Sequence, residues 1–157
     1  MSAQSIFDHA PLGAIIRYSD GTPRPPERHR RKLADWQRRN SCGRLVKKQA
    51  ATCVGQTIIP ASFTLYEGNF GSQGVIVLKV FKTFSVGSDL TFEVKERPAA
   101  GSILIFDRPG DLGELVHVAA GMKDAEDWLS RHGYPNAVLQ TVTDEPTDGD
   151  PVEGRAA

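Results

Sequence analysis

Ten basic residues crowd one stretch of the chain: Arg24, Arg28, Arg30, Arg31, Lys32, Arg38, Arg39, Arg44, Lys47 and Lys48, opposed there by Glu27 and Asp35. Guanidinium forks match phosphate oxygens, and a cationic stripe about one helix long can follow a nucleic-acid backbone. At helical spacing Arg28, Arg31 and Lys32 share a side, and Arg38 and Arg39 extend it. The candidate nucleic-acid contacts are Arg24, Arg28, Arg31, Lys32, Arg38, Arg39, Arg44, Lys47 and Lys48. The plainer reading is a solvated helix face, partly neutralised by acids elsewhere in the chain. No helix-turn-helix, zinc-finger or aromatic RNP pattern accompanies the block.

Other residues that could do chemistry are scattered. His9, His29, His117 and His132 show no partnered base in the sequence. His117 sits in a strand-like segment, ELVHVAA, where Asp107 and Asp111 of the preceding DRPGDLG loop can approach it. An enzyme would need a pocket around those three groups, although a lone strand histidine is more often structural. Cys42 is a conceivable nucleophile beside Arg44, but Cys42 and Cys53 are eleven positions apart and match no metal or redox spacing. The GNFGSQG segment lacks the Lys-Ser/Thr of a phosphate loop and reads as a hairpin turn. The acids of DRPGDLG match no calcium loop. Trp36 can stack on a base, but its spacing from Leu33 favours core, as Ala125 and Leu129 do for Trp128. No catalytic residue, metal ligand or cofactor is assigned.

The elements that would position these groups come from a chain of 157 residues, one domain's worth. Net charge is zero, yet the charge is split. Residues 1–48 carry eleven Lys/Arg against four Asp/Glu, and residues 49–157 carry eight against fifteen. That asymmetry points to a basic interaction element and an acidic face or tail. The N-terminal stretch lacks the pattern of a signal peptide, and no run of about eighteen apolar residues would span a membrane. Cytoplasm is the default compartment, with no membrane partner expected.

Residues 1–10 carry little pattern and are expected to fray. Residues 13–19 read as a strand, Asp20-Gly21 as a turn, and Glu27 to Asn40 as a basic helix pinned by Leu33 and Trp36. Gly43 suits a helix C-terminus. Residues 44–51 fit either a helical turn or a strand. Strands follow at 63–67, 75–86 and 90–96. The short turn at Gly87 makes the last two of these hairpin partners, with Leu90, Phe92 and Val94 facing inward. Further strands at 102–106, 114–120 and 137–142 enclose a helix over 121–133. Residues 144–157 hold five acids, two prolines and two glycines, so this acidic tail is expected to be disordered. The expected fold is α+β: a mainly antiparallel sheet of five to seven strands with two main helices packed against it, as a single domain over 11–143.

The stretch APLGAIIRYSDGTPRPPERHRRKLADWQRRNSCGRLVKK, followed by SFTLYEGNFGSQGVIVLKVFKTFS, resembles small uncharacterised proteins of conjugative plasmids and related mobile elements of proteobacteria. The resemblance implies an accessory role: plasmid maintenance, regulation of transfer or interference with host defence. It carries over no site. The leading expectation is a non-enzymatic accessory protein of a mobile element that binds DNA or RNA through the basic helix. The alternatives are a protein-interaction module or inhibitor acting on a host protein, and an enzyme with an unrecognised site. Oligomeric state stays open.

Overall fold

The computed structural model describes residues 1–73 and 75–143. The elements in chain order are α1 (Ala3–His9), β1 (Ile15–Ser19), α2 (Arg30–Arg39), β2 (Ser41–Gln49), β3 (Thr52–Val54), β4 (Thr57–Ile59), β5 (Ser62–Ser72), β6 (Val75–Ser85), β7 (Thr91–Glu96), β8 (Ile103–Phe106), β9 (Leu115–Ala119), α3 (Met122–Arg131) and β10 (Val138–Thr141). The fold is α+β and mostly sheet. A five-stranded antiparallel sheet runs β6-β5-β2-β1-β7, a three-stranded sheet runs β10-β8-β9, and β3 pairs with β4 alone. The expected acidic tail, 144–157, lies outside the described residues.

The large sheet is curled. β6 and β7 are its opposite edges, yet a tight turn joins them, with Ser88 N donating to Ser85 O. In a flat sheet those edges would lie about 19 Å apart, four spacings of about 4.8 Å. Instead the Phe84 and Phe92 rings meet edge to face at 5.2 Å. The expected β6–β7 hairpin is therefore corrected: β7 pairs with β1, Phe92 opposite Tyr18. Burial of Phe92 against Phe63 and Phe84 holds the edges together without a ladder between them. The inward set expected on β7 does hold, since Phe92 is buried and Leu90 and Val94 pack on the same core.

The N-terminal residues, which carry little pattern in the sequence, form a helix. Ser2 Oγ accepts the Ser5 amide and starts α1. Ala3 and Ile6 of that helix are fully buried beneath β7, and Phe92 N donates to Met1 O. Ala3, Ile6 and Ala10 keep a helical period, but two of the three are alanines, so the apolar signal is faint.

β2 settles the ambiguous 44–51 segment as strand and begins at Ser41, earlier than a helix cap at Gly43 allows. Gly43 serves close approach instead of a turn. A Cβ there would stand 2.9 Å from Leu65 Cβ and 2.9 Å from Tyr66 O of β5. β5 likewise runs on through the segment expected as a turn and ends at Ser72, opposite Val75.

The second sheet divides its core by alternation. Ile103 and Ile105 of β8 pack with Ala125 of α3. Leu104 and Phe106 face the other way, onto Val46 of β2 and Leu115 of β9. α3 and its strands lie within a residue or two of their expected bounds. α2 buries none of its residues. Among the described residues no helix is long and apolar enough to cross a membrane.

Candidate functional site

The basic block folds into three separate settings. The first is α2 and the segment before it. Pro26 O accepts the His29 amide, and the helix starts at Arg30, three residues later than expected. Leu33 and Trp36 are half-buried on its inner side, and Trp36 Nε1 donates to Thr22 O at 2.9 Å. Arg31 and Arg38 project opposite that side by helical spacing, with Lys32 and Arg39 on its flanks. These four, together with Arg24 and Arg28, are exposed. Arg24–Glu27 and Arg38–Asp35 are ion pairs at 3.6 Å between well-exposed groups, which neutralise little in water.

The C-terminal end of α2 is anchored by a polar knot. Asn40 Nδ2 donates to Asp20 Oδ1 at 3.0 Å and to Trp36 O at 2.9 Å, and Asn40 Oδ1 accepts from Ser19 Oγ at 2.6 Å. Thr22 donates its hydroxyl and its amide to Asp20 Oδ1. Those Thr22 bonds, then Asn40 and the Arg39 guanidinium 3.7 Å away, hold the Asp20 carboxyl down to about 2. Lys82 Nζ donates to Arg38 O at the negative end of the helix, and to Tyr18 OH at 3.2 Å. Burial and the Glu67 carboxylate push the Tyr18 hydroxyl upward, so it stays protonated and donates to Glu67.

The β2 cations lie elsewhere. Lys48 sits 5.9 Å from the Phe7 ring centroid, and burial pushes its ammonium down. It lines a cavity of about 430 Å³ with Asp111 of the 108–113 loop. Lys47 is half-buried. Arg44 Nη1 donates to Gly13 O at 2.7 Å and lines a different cavity, of about 320 Å³. The structure thus keeps Arg24, Arg28, Arg31, Lys32, Arg38 and Arg39 together and separates Arg44 and Lys48 from each other.

The cavity beside Arg44 is the part of the molecule that sequence reasoning missed. One wall is aromatic. The Trp128 indole stacks on His117 at 4.7 Å, on His132 at 4.0 Å and on Tyr134 at 5.5 Å, with planes within 13°. Tyr66 and Phe81, whose centroids are 5.5 Å apart, also line the cavity. Lys79, Asn69 and Glu114 complete the polar lining. Burial pushes the His117 imidazole down, and His132 and Arg44 add to that against Asp124. His132 Nδ1 lies 2.8 Å from Trp128 O, which fixes its ring at the end of α3. The signal was present as His, Trp, His and Tyr at 117, 128, 132 and 134, but stacking across a strand, a helix and a loop has no period.

The three groups of the enzyme reading are not brought together. His117 lines the smaller cavity and Asp111 the larger. Asp107 is occupied in its own loop: burial pushes its carboxyl up, but the Glu114 amide at 2.8 Å and Arg108 overcome that and hold it low. Cys42 and Cys53 are exposed free thiols. Among the described residues no cluster of His, Cys, Asp or Glu could hold a metal ion.

A family model described as uncharacterised conserved protein UCP036055 matches residues 1–146, which takes in α2, the polar knot and the aromatic cavity. The chain belongs to the UCP036055 family. No curated protein and no solved structure matches it. For this UCP036055 member the functional reading therefore rests on its own surfaces.

Proposed function

We propose that this UCP036055 protein binds nucleic acid through the exposed cationic side of α2. The reading is supported by one observation above others: α2 buries none of its residues, while Trp36, Asn40 and Lys82 hold its inner side and end in place. A helix that adds so little to the core, yet is tied down at several points, presents its outer face as a fixed surface. Arg28, Arg31, Lys32 and Arg38 on that surface suit phosphate oxygens spaced along a backbone. The resemblance to accessory proteins of conjugative plasmids is the ground for placing this binding in a mobile element.

The test is fluorescence anisotropy with short single-stranded DNA, duplex DNA and RNA at low and near-physiological salt. Binding should weaken as salt rises, with a log–log slope of about −0.9 per neutralised phosphate on duplex. The R28E/R31E/K32E/R38E variant should lose binding while keeping its circular dichroism spectrum. Undiminished affinity in that variant rejects the proposal.

A second reading, contact with a host protein, is favoured by the β3–β4 hairpin. Val54, Ile58 and Ile59 there are 63%, 71% and 48% exposed. A stable partner recovered after nuclease treatment, and lost on replacing those three residues with Ser, would support it.

A further inference from the structure

We propose that the cavity between the β5–β6 arm and the β9–α3 unit is a binding site for a planar base carrying a phosphate. Its volume, about 320 Å³, falls within the range of small-ligand pockets. Six rings are among its lining: His117, Trp128, His132 and Tyr134, stacked together, and Tyr66 and Phe81. A lining so rich in rings suits a flat π-system, and base–aromatic stacking loses about 10-fold or more in affinity when a ring is removed and is tolerant of base identity. The polar groups sort by charge. Arg44 and Lys79 are cationic, Glu114 is the one carboxylate among the described lining residues, and burial pushes the His117 imidazole down. The lining therefore favours an anion, and a guanidinium fixed by its bond to Gly13 O is a pre-set partner for phosphate. Asn69 and Glu114 remain to meet the hydrogen-bonding edge of the base.

This site is distinct from α2. Lys79 and Phe81 line the cavity, whereas Lys82, of opposite strand parity to both, reaches back to Arg38 O and the Tyr18 ring. Side chains alternate along a strand, so α2 and the cavity lie on opposite faces of β6. Occupancy of the cavity then requires none of the α2 cations, and the proposal stands or falls apart from the reading of α2.

The same chemistry is offered by a free nucleotide and by one nucleotide of a single strand. The experiment follows Trp128 fluorescence in a Trp36→Phe background. The probes are the four ribonucleoside monophosphates, their nucleosides and a hexanucleotide. Monophosphates should quench and shift the emission, and nucleosides should bind at least about 10-fold more weakly for want of the phosphate contact. Lys79→Glu and Tyr134→Leu, both at the cavity margin, should each weaken binding about 10-fold or more. The R28E/R31E/K32E/R38E variant should bind monophosphates as the parent does. A response to monophosphates identifies a free-nucleotide site. A response to the hexanucleotide alone, abolished by Lys79→Glu and Tyr134→Leu, identifies a strand site. No saturable response to any probe at millimolar concentration overturns the proposal, as does binding that neither cavity variant alters.

Discussion

The imidazole of His117 lies face to face with the indole of Trp128, centroids 4.7 Å apart and planes within 4°. Burial holds that imidazole below its ordinary value, and Arg44 and His132 push the same way while Asp124 opposes them. The unfolded chain therefore takes up a proton at higher pH than the folded one. Stability tied to His117 is complete above the unfolded value of 6.5 and is lost as pH falls below it. Urea midpoints at about pH 7.5 and 5.5 should differ less in His117→Phe than in the parent, because Phe keeps the stack and removes the titration. Equal differences in the two proteins would remove His117 as a source.

Asp20 shifts in the same direction, and its window lies at lower pH. Its carboxyl is held at about 2 by Thr22 and Asn40, below the ordinary 3.8. The knot it anchors is intact above about pH 4 and is lost as pH falls through the folded value. Asp20→Ala should loosen the end of α2 at neutral pH and expose Trp36, seen as a red shift of its emission in a Trp128→Phe background. If binding through α2 requires a fixed helix, this variant should also bind nucleic acid more weakly than the parent.

Ile6 is fully buried in the core it shares with Ile16, Tyr18, Leu45, Phe63 and Phe92. Ile6→Ala should cost about 2–5 kcal/mol, read from equilibrium denaturation. A change within about 0.5 kcal/mol, the size of a surface substitution, would mean that α1 is not part of the cooperative core.

Gly43 meets Leu65 and Tyr66 across the β2–β5 ladder with no room for a methyl group. Gly43→Ala should destabilise by about 1–3 kcal/mol through strand displacement. Gly21, whose Cβ would meet nothing within 4 Å, has a φ of +78°, so its cost on substitution is backbone strain alone. Gly43→Ala should also weaken the cavity site, since Arg44 and Val46 of the same strand line it.

Local patterns in the sequence were sufficient for much of this protein. Alternation in LTFEVKE placed Phe92 inside, the apolar run SILIF marked a short strand, which the structure buries on both faces, and the charge order of 121–133 marked α3. The basic face of α2 was legible because helical spacing alone puts Arg31 and Arg38 away from Leu33 and Trp36. Tertiary structure decided the rest. Whether β7 joins β6 or β1 depends on the curl of a sheet, a property of all its strands at once. Gly43 could cap a helix or admit a neighbouring strand, and only the approach of Leu65 and Tyr66 selects the second. The stacked wall of His117, Trp128, His132 and Tyr134 gathers residues from a strand, a helix and a loop. Periodicity reports which side of its own element a residue occupies. It is silent on what other elements bring to meet that side, and the aromatic cavity is made wholly of such meetings.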